Sequence, residues 1–527
     1  MTDAETMVMP RVGASAAPPE DPWGEDRVGA DGGGEQPDRV TRRRDSFPVR
    51  TAAWMVPGML MGTLGLMGSA APGLWTDELT TWDHATSSWR ANLVPAYWAD
   101  ASDVPYHLLM RAWVELLGSS DLALRLPSIL AMTLAAMLVA MLATRLYGAR
   151  VGLFAGVIFA LLPTSTRYAQ EARPYALTLL VAVLATYFLV LAAHRPRLWR
   201  FVGYGLAVVL LGLSHAIALV LLVGHGWVLL AFRRRILTRW VVTASVGAFP
   251  AVALLLLGYR TVGPPSWTTD SARELVAATP VELFGVTALG ALLLGLALFS
   301  LPLRRSTAIY TAWAVVPLLV LPLVARVTPL PLVQCLVFTL PAWATLAAVA
   351  LGRARAVWGV GVLAAIVVIG LPVQAAQRGS DGHRQATRQL AGIVQYEMRS
   401  GDAVVYVAKD PGGGAAGRDA LDRYLPTGYG LVDVLGGGAG GGTGGSGAGT
   451  GSDETGGEVR DAECLDATGC LGDTRRVWVI RVGERTDPLR DVGGRTEELL
   501  RTRYEMAQVW RPTGFTLALL VDGRPQG

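Results

Sequence analysis

Long apolar runs that recur between short polar breaks constrain this chain more than any other feature of its sequence. About 20 apolar residues cross a bilayer core of ~30 Å as a helix, so the runs predict an α-helical polytopic membrane protein. Hydrophobic residues make up 52% and charged residues 17% of the chain, whereas soluble domains carry about 25% charged residues. This balance excludes a disordered chain, a coiled coil and a disulfide mini-protein, and it argues against a cytosolic enzyme. The eleven predicted spans cover residues 52–72, 126–144, 151–166, 175–193, 200–214, 216–232, 240–258, 281–301, 307–325, 335–351 and 357–373.

The arginines of the polar breaks predict how the spans are oriented. Cytoplasmic breaks carry an excess of arginine and lysine, and the distribution here puts the N-terminus inside. Residues 73–125, 167–174 and 259–280, and everything after residue 373, then lie on the outer side of a plasma (inner) membrane. The net charge of +4 is accordingly assigned to cytoplasmic loops, and no nucleic-acid partner is expected. The arginine-rich breaks contain Arg42–Arg44, Arg145, Arg150, Arg195, Arg197, Arg200, Arg233–Arg235, Arg239, Arg304, Arg305, Arg353 and Arg355.

Composition divides the chain into three parts. Residues 1–50 are polar and rich in proline and glycine, so we expect a disordered cytoplasmic tail. Residues 51–373 form the transmembrane part. Residues 374–527 are predicted to form a small extracytoplasmic α/β domain, with strands at 401–407 and 476–480 and a helix at 383–399. Within that domain, the run 436–457 is almost entirely Gly, Ser and Thr and is predicted to be a disordered insertion.

Two cysteines in the tail are candidates for a disulfide. Cys464 and Cys470 are separated by five residues in a polar region. A small disulfide would suit them if the region lies outside the cytoplasm. Two free thiols are the alternative.

Adjacent carboxylates follow the first predicted span. Asp77 and Glu78 lie in the sequence Gly-Leu-Trp-Thr-Asp-Glu-Leu, which begins at Gly73. A carboxylate partly sheltered from water can have its pKa tuned toward a role as general base, and two together can bind a cation. Acids just outside a span are often solvated loop residues, and the pair alone favours that interpretation.

A short predicted outer loop concentrates charged and aromatic residues. Arg167, Glu171, Arg173 and Tyr175 lie within nine residues of one another between two predicted spans. Arginine binds phosphate oxygens through two N–H groups at once, so an arginine at the membrane surface is a natural clamp for a lipid phosphate. Ionisable residues at membrane depth usually serve a function. A purely structural ion pair between Glu171 and Arg173 is the alternative.

Three further polar residues are weaker candidates for substrate binding. Asp103 and His107 precede an apolar stretch, residues 108–117, that is predicted to lie on the bilayer as an interfacial helix. His215 follows Ser214 on the same predicted side of the membrane. Single histidines are more often structural than catalytic, because either protonation state can simply cap a helix.

Taken in order, these segments resemble the GT-C glycosyltransferases, and within them the family 39 type of bacterial mannosyltransferase-like proteins that use polyprenyl-phosphate sugars. The order and spacing match over roughly residues 70–220, and beyond that the pattern of spans matches. The segments that carry the resemblance are Leu74–Glu78, Tyr106–Trp113, Leu122–Ser128, Arg145–Gly148 and Tyr168–Ala176. The chain departs from the family at Asp103-Val104-Pro105, where relatives often have a histidine, and at Gln334-Cys335, where many have Arg-Tyr.

The resemblance implies a GT-C fold and an inverting hexosyltransferase. It would transfer a sugar, expected to be mannose, from a polyprenyl-phosphate donor to a glycan, lipid or protein acceptor on the outer face. Asp77 would be the general base, and Glu78 would support it or help to hold a divalent cation where one is used; no other cofactor is expected. Arg173, with Arg167 and Tyr175, would bind the donor phosphate.

A polytopic transporter or lipid flippase is the competing function. It would also combine many spans with a few membrane-level charges. Transporters place such charges near the bilayer midplane and often contain repeated halves. In this chain the charges cluster at the predicted outer interface, and no internal repeat is evident in the sequence.

Overall fold

A computed structural model describes residues 47–93, 103–262, 279–300, 305–324, 334–407, 410, 414–426, 431–433, 471 and 474–523. The two cysteines Cys464 and Cys470, the insertion 436–457 and residues 1–46 lie outside these described residues. The helices of the first part are α1 (Phe47–Leu66), α2 (Thr76–Thr86), α3 (Trp89–Leu93), α4 (Val104–Leu117), α5 (Asp121–Tyr147), α6 (Ala149–Leu161), α7 (Pro163–Ala169), α8 (Tyr175–His194), α9 (Leu198–Ser214), α10 (Leu221–Phe232), α11 (Leu237–Val262), α12 (Thr287–Phe299), α13 (Arg305–Val324), α14 (Leu340–Arg353) and α15 (Ala356–Gln377).

The predicted helical membrane architecture is confirmed. Each of the eleven predicted spans overlaps a described helix. By length and composition, six helices among the described residues could cross a membrane, or seven if the bent pair α6 and α7 is one span. Three other apolar helices in these ranges, Leu198–Ser214, Ala216–Phe232 and Thr287–Phe299, are shorter.

Two of the predicted spans end earlier than their apolar composition indicates. Helix α1 stops at Leu66 instead of continuing to residue 72, and Gly68 there has a positive φ of 74° that suits glycine. Helix α6 stops at Leu161, and α7 leaves at an angle of 67° to it. Pro163 at the start of α7 has no N–H to continue the preceding helix. Both early endings bring irregular backbone to the same end of the helices.

The two ends of the helices differ in chemistry. At one end, Arg150 donates to the carbonyl of Ala354 at 2.7 Å, and Arg353 donates to the carbonyl of Ser300 at 3.3 Å. This end gathers arginine-rich breaks. At the other end lie α2, α4, the loop 170–174 and the C-terminal part of the chain. Helix α5 runs from that end to the arginine-rich one.

The C-terminal part contains a five-stranded mixed sheet. Its strands are β1 (Ala403–Tyr406), β2 (Val432–Asp433), β3 (Arg476–Val482), β4 (Tyr504–Trp510) and β5 (Phe515–Asp522), in the order β2-β1-β3-β5-β4. Strand β1 is parallel to β2 and β3, and β5 is antiparallel to β3 and β4. The helices are α16 (Thr387–Glu397), α17 (Ala415–Tyr424) and α18 (Gly494–Arg503). The predicted small α/β fold is thus confirmed.

One face of this sheet shares a hydrophobic core with the membrane part. Alternate residues of a strand point to opposite faces. Val404, Trp478 and Leu519 belong to one apolar cluster together with Leu74 and Leu79, from the start of the chain's second helix and the loop before it. The C-terminal part therefore packs directly on the segment that carries the adjacent carboxylates.

Candidate active site

Arg173 lies between two carboxylates at the end of the molecule that faces the C-terminal part. Its Nη2 atom is 3.6 Å from Oδ2 of Asp77, and its Nη1 atom is 3.7 Å from Oδ2 of Asp103. Both contacts are longer than a hydrogen bond, and the buried Nε of Arg173 has no hydrogen-bond partner among the described residues. The structure thus brings together three predicted site residues from α2, from the residue before α4 and from the loop before α8.

Burial changes the pKa of the Asp77 carboxyl. Desolvation raises the pKa of Asp77 above the usual aspartate value, and the nearby Arg173 guanidinium opposes that shift only in part. The negative charge of Glu171 adds to the increase. The Asp77 side chain nevertheless keeps 32% of its surface exposed. A carboxylate that is both reachable and more basic than usual is suited to accept a proton.

Glu78, the neighbour of Asp77, has a different environment. Both its carboxylate oxygens accept hydrogen bonds from Arg125, at 2.8 Å from Nε and 2.6 Å from Nη2, and neither side chain is exposed. The N–H of Ala172 donates to the same carboxylate at 2.8 Å. Arg125 also donates to three carbonyl groups of the loop before α2, those of Ser69, Pro72 and Gly73. Glu78 therefore braces the start of α2 against α5 and the 170–174 loop.

The same contacts bear on the expectation that Glu78 helps Asp77 to hold a divalent cation. Its oxygens already accept from a bidentate arginine and a backbone N–H, so they are not available as metal ligands. Among the residues that the structure describes, no group of three or more His, Cys, Asp or Glu side chains is placed to hold a metal ion.

Glu171 forms a second buried ion pair. Arg167 Nε donates to its Oε1 at 2.7 Å, and His383 Nδ1 lies 3.6 Å from the same oxygen. Burial favours the neutral acid, but the positive charge of Arg167 and the nearby His383 dominate and lower the pKa of Glu171 to about 2. Arg167 also contacts Glu282 at 3.4 Å. Glu171 is thus paired with Arg167, and not with Arg173 as the structural alternative had it.

Tyr175 and His215 lie beside Arg173 and line one side of the site. The Tyr175 hydroxyl donates to Oε1 of Gln334 at 2.9 Å, and the Arg173 guanidinium lies 5.6 Å from the Tyr175 ring centre. His215 packs edge-on against Tyr175, and its Nε2 is 3.4 Å from Sγ of Cys335. Gln334 and Cys335, where many relatives have Arg-Tyr, thus occupy this cluster.

His107 is buried in a stacked pair of histidines. Its ring lies 4.2 Å from the His84 ring at an angle of 12°. Burial first, then the charges of His84 and Arg173, lower the pKa of His107 to about 3, so the ring is neutral at physiological pH. A neutral ring beside Arg173 can donate or accept a hydrogen bond, and its Nε2 has no partner among the described residues.

Sequence reasoning missed several residues of the site. Arg125 lies in the segment Leu122–Ser128. An arginine at the start of a long apolar helix needs an acidic partner, and that signal could have identified it as a site residue. His383, Gln385 and Glu282 come from regions with no motif, and only the fold places them here.

Comparisons with known proteins identify a matching family and a similar fold. Residues 105–257 match the family described as dolichyl-phosphate-mannose-protein mannosyltransferase. The fold is similar to the crystal structure of ArnT from Cupriavidus metallidurans in the apo state, with a TM-score of 0.55, 14% identity, and 89% of this chain and 98% of that chain covered. The resemblance to GT-C glycosyltransferases is confirmed.

A second solved structure gives the same fold. ArnT from Cupriavidus metallidurans bound to undecaprenyl phosphate matches with a TM-score of 0.55 and 14% identity, over 90% of this chain and all (100%) of that chain. None of the curated proteins matches the sequence. The matched residues include Arg125, Glu171 and Arg173 but not Asp77, so the role proposed for Asp77 depends on its geometry.

Proposed function

We propose that this protein is an inverting membrane glycosyltransferase that moves a sugar from a polyprenyl-phosphate carrier to a cell-envelope acceptor. The observation that carries the proposal is the placement of Arg173 between Asp77 and Asp103 in a GT-C fold. The fold match alone would not assign the reaction, because one fold can host many functions.

Asp77 is the proposed general base. The acceptor hydroxyl oxygen attacks the anomeric carbon of the donor sugar while Asp77 takes the hydroxyl proton. The bond between that carbon and the phosphate oxygen breaks, and polyprenyl phosphate leaves with the bonding electron pair. A single displacement of this kind inverts the configuration at the anomeric carbon. Burial supports this role because a raised pKa makes Asp77 a better proton acceptor.

Arg173 is the proposed phosphate-binding residue. Three arginines lie in this region, but the guanidiniums of Arg125 and Arg167 are held by short contacts of 2.6 to 2.8 Å to buried acids. The carboxylates around Arg173 are 3.6 and 3.7 Å away, so its N–H groups can turn to phosphate oxygens with less loss. Negative charge grows on the leaving phosphate, and a fixed guanidinium stabilises that transition state.

Donor binding would also activate the base. The positive charge of Arg173 lowers the proton affinity of Asp77 in the free protein. When Arg173 binds the donor phosphate, its positive charge acts less on Asp77. The affinity of Asp77 for the acceptor proton then increases. Arg167 and Tyr175 surround this position and are proposed to orient Arg173 and the phosphate, while Asp103, His107, Glu171 and His215 shape the surrounding pocket.

We propose mannose as the sugar, from the description of the matched family, and a polyprenyl phosphate as the carrier, from the undecaprenyl phosphate named for ArnT. We also propose a plasma (inner) membrane location with the site outside and the N-terminus inside. The arginine-rich breaks lie at the end of the helices opposite to the site, which supports this orientation.

The test is a membrane assay with labelled polyprenyl-phosphate mannose. The wild-type protein should remove the sugar from the lipid and pass it to an acceptor in the same membranes, and Asp77→Asn should not. Movement of the intact lipid-linked sugar across the membrane, without cleavage, would instead support the transporter or flippase. A panel of other polyprenyl-phosphate sugars, run in parallel, identifies the sugar if mannose is not transferred.

A further inference from the structure

Gln385 caps helix α2 from the far end of the sequence. Its Oε1 accepts hydrogen bonds from the N–H of Thr76 at 2.7 Å and from the Thr76 hydroxyl at 2.8 Å. The first N–H groups of a helix have no partner within the helix. Trp75 at the N-cap position supplies no side-chain hydrogen bond. Locally, Glu78 accepts only from the Trp75 N–H, at 3.5 Å, so Gln385 supplies the acceptor for Thr76, one residue before Asp77.

Two more side chains of the C-terminal part hold the residue before Trp75. The hydroxyl of Tyr424 accepts from the N–H of Leu74 at 2.8 Å, and the hydroxyl of Thr387 donates to the Leu74 carbonyl at 2.8 Å. Gly73 packs so closely on Thr387 that a Cβ there would overlap the threonine hydroxyl. The backbone of residues 73–76 is thus shaped against the C-terminal part.

A buried carboxylate on α5 fixes the C-terminal part in place. Asp121 accepts hydrogen bonds from Arg388 at 2.6 Å, from Arg423 at 2.8 Å and from the Tyr424 hydroxyl at 2.8 Å. Tyr424 therefore links Asp121 directly to Leu74. Charge-assisted hydrogen bonds of this kind are the stronger ones in proteins, so the position of the C-terminal part is set relative to α5 and α2 together.

From these contacts we infer that Gln385, assisted by Tyr424, is a positioning residue for Asp77. The C-terminal part of the chain therefore contributes to the active site. The inference rests on the proposed function. Its physical basis is that a base must stay within hydrogen-bond reach of the acceptor hydroxyl, and a misplacement of ~1 Å can reduce a rate by up to ~10²-fold.

The expected loss of activity depends on which contacts of α2 remain when Gln385 is replaced by alanine. In Gln385→Ala the N–H and hydroxyl of Thr76 lose their acceptor, and the first turn of α2 can shift. The buried pair of Glu78 and Arg125 still holds the same turn two residues further along. We therefore expect a decrease in kcat of about 10-fold, smaller than the full effect of misplacement, with the KM for the lipid donor nearly unchanged.

The experiment compares four variants of the full-length protein with the wild type and with Asp77→Asn in the sugar-transfer assay. Gln385→Glu keeps an oxygen that can accept from Thr76, and negative charge is favourable at a helix N-terminus, so its kcat should stay within about 3-fold of wild type. Gln389→Ala removes an exposed glutamine four residues further along the chain and is the matched control. The fourth variant combines Gln385→Ala with Asp77→Asn.

The double variant separates positioning from general stability. If Gln385 acts through Asp77, its removal should change the residual rate of Asp77→Asn by less than about 2-fold, since the base is already absent. An equal loss in both backgrounds would show a structural role and overturn the inference, as would a Gln385→Ala kcat equal to that of Gln389→Ala. Absence of transfer by the wild-type protein would overturn the proposed function, and this assignment with it.

Discussion

The adjacent residues Asp77 and Glu78 should respond in opposite ways to the same chemical change. Asp77→Asn and Glu78→Gln each replace a carboxylate by an amide of the same shape. The first removes a proposed base that is partly exposed, and the second removes one partner of a fully buried ion pair. Activity should be lost in the first variant and stability in the second.

The expected loss in Asp77→Asn is catalytic. A positioned general base contributes roughly 10²–10⁴-fold to a rate, so transfer per folded molecule should fall by that factor. The contact with Arg173 is 3.6 Å long and partly exposed to water, and pairs of that kind contribute about 0–1 kcal/mol. The thermal stability of this variant should therefore stay close to that of the wild type.

The expected loss in Glu78→Gln is structural. The side chains of Glu78 and Arg125 are both 0% exposed, and removing one partner of a buried pair destabilises a protein by about 3–5 kcal/mol because the other charge stays uncompensated. The amide also places a donor where Arg125 or the Ala172 N–H now donates. We expect a lower yield of folded protein and a clearly reduced Tm.

The assay measures Tm in detergent and transfer per folded molecule for both variants. Wild-type activity should decrease at acid pH with a midpoint above the 3.8 of an ordinary aspartate, since burial raises the pKa of Asp77 and only its ionised form accepts a proton. Asp77→Asn should lose this acid limb. Near wild-type transfer by well-folded Asp77→Asn would refute the assignment of the base, and an unchanged Tm in Glu78→Gln would refute the bracing role.

Three further predictions concern the donor, the topology and the tail. Arg173→Ala should weaken binding of the polyprenyl-phosphate sugar, which a donor titration would detect as a raised KM that Asp77→Asn does not show. A reporter fused after Gly401 should be active only outside the cytoplasm; a cytoplasmic signal would contradict the orientation. If the tail lies outside the cytoplasm, Cys464 and Cys470 should form a disulfide, worth up to ~3 kcal/mol. Two alkylatable thiols, found by mass spectrometry of the unreduced protein, would disprove this pairing.

Local sequence patterns predicted the membrane helices and two of the five strands, β1 and β3. Apolar runs of about 20 residues predicted the spans because burial of backbone polar groups in a membrane leaves a helix as the simple solution. They did not predict where α1 ends, because residues 67–72 remain apolar while Gly68 and the contacts with Arg125 draw the backbone out of the helix. Apolar composition indicates which residues are buried. It does not indicate where a helix ends, because that depends on tertiary hydrogen bonds.

Local sequence patterns also predicted part of the candidate site. Asp77, Arg173 and Asp103 were each identified from local charge near a predicted membrane surface, and the structure places them together. Partners from remote positions could not be found in this way. Gln385 lies 309 residues after Thr76, and no local motif indicates that it caps α2.

What distinguishes the acids of this site is how each is paired. Asp77 and Glu78 are neighbours on one turn, yet only Glu78 faces an arginine at hydrogen-bond distance with no access to water. A fully buried, fully bonded charge cannot change partners without leaving another charge uncompensated, so such a pair can only support the fold. A longer contact at a partly exposed carboxylate can be exchanged for a substrate. We therefore expect Arg173 and Asp77, whose contacts are longer, to take part in the reaction. The tightly paired Arg125 and Glu78 beside them keep these two residues in position.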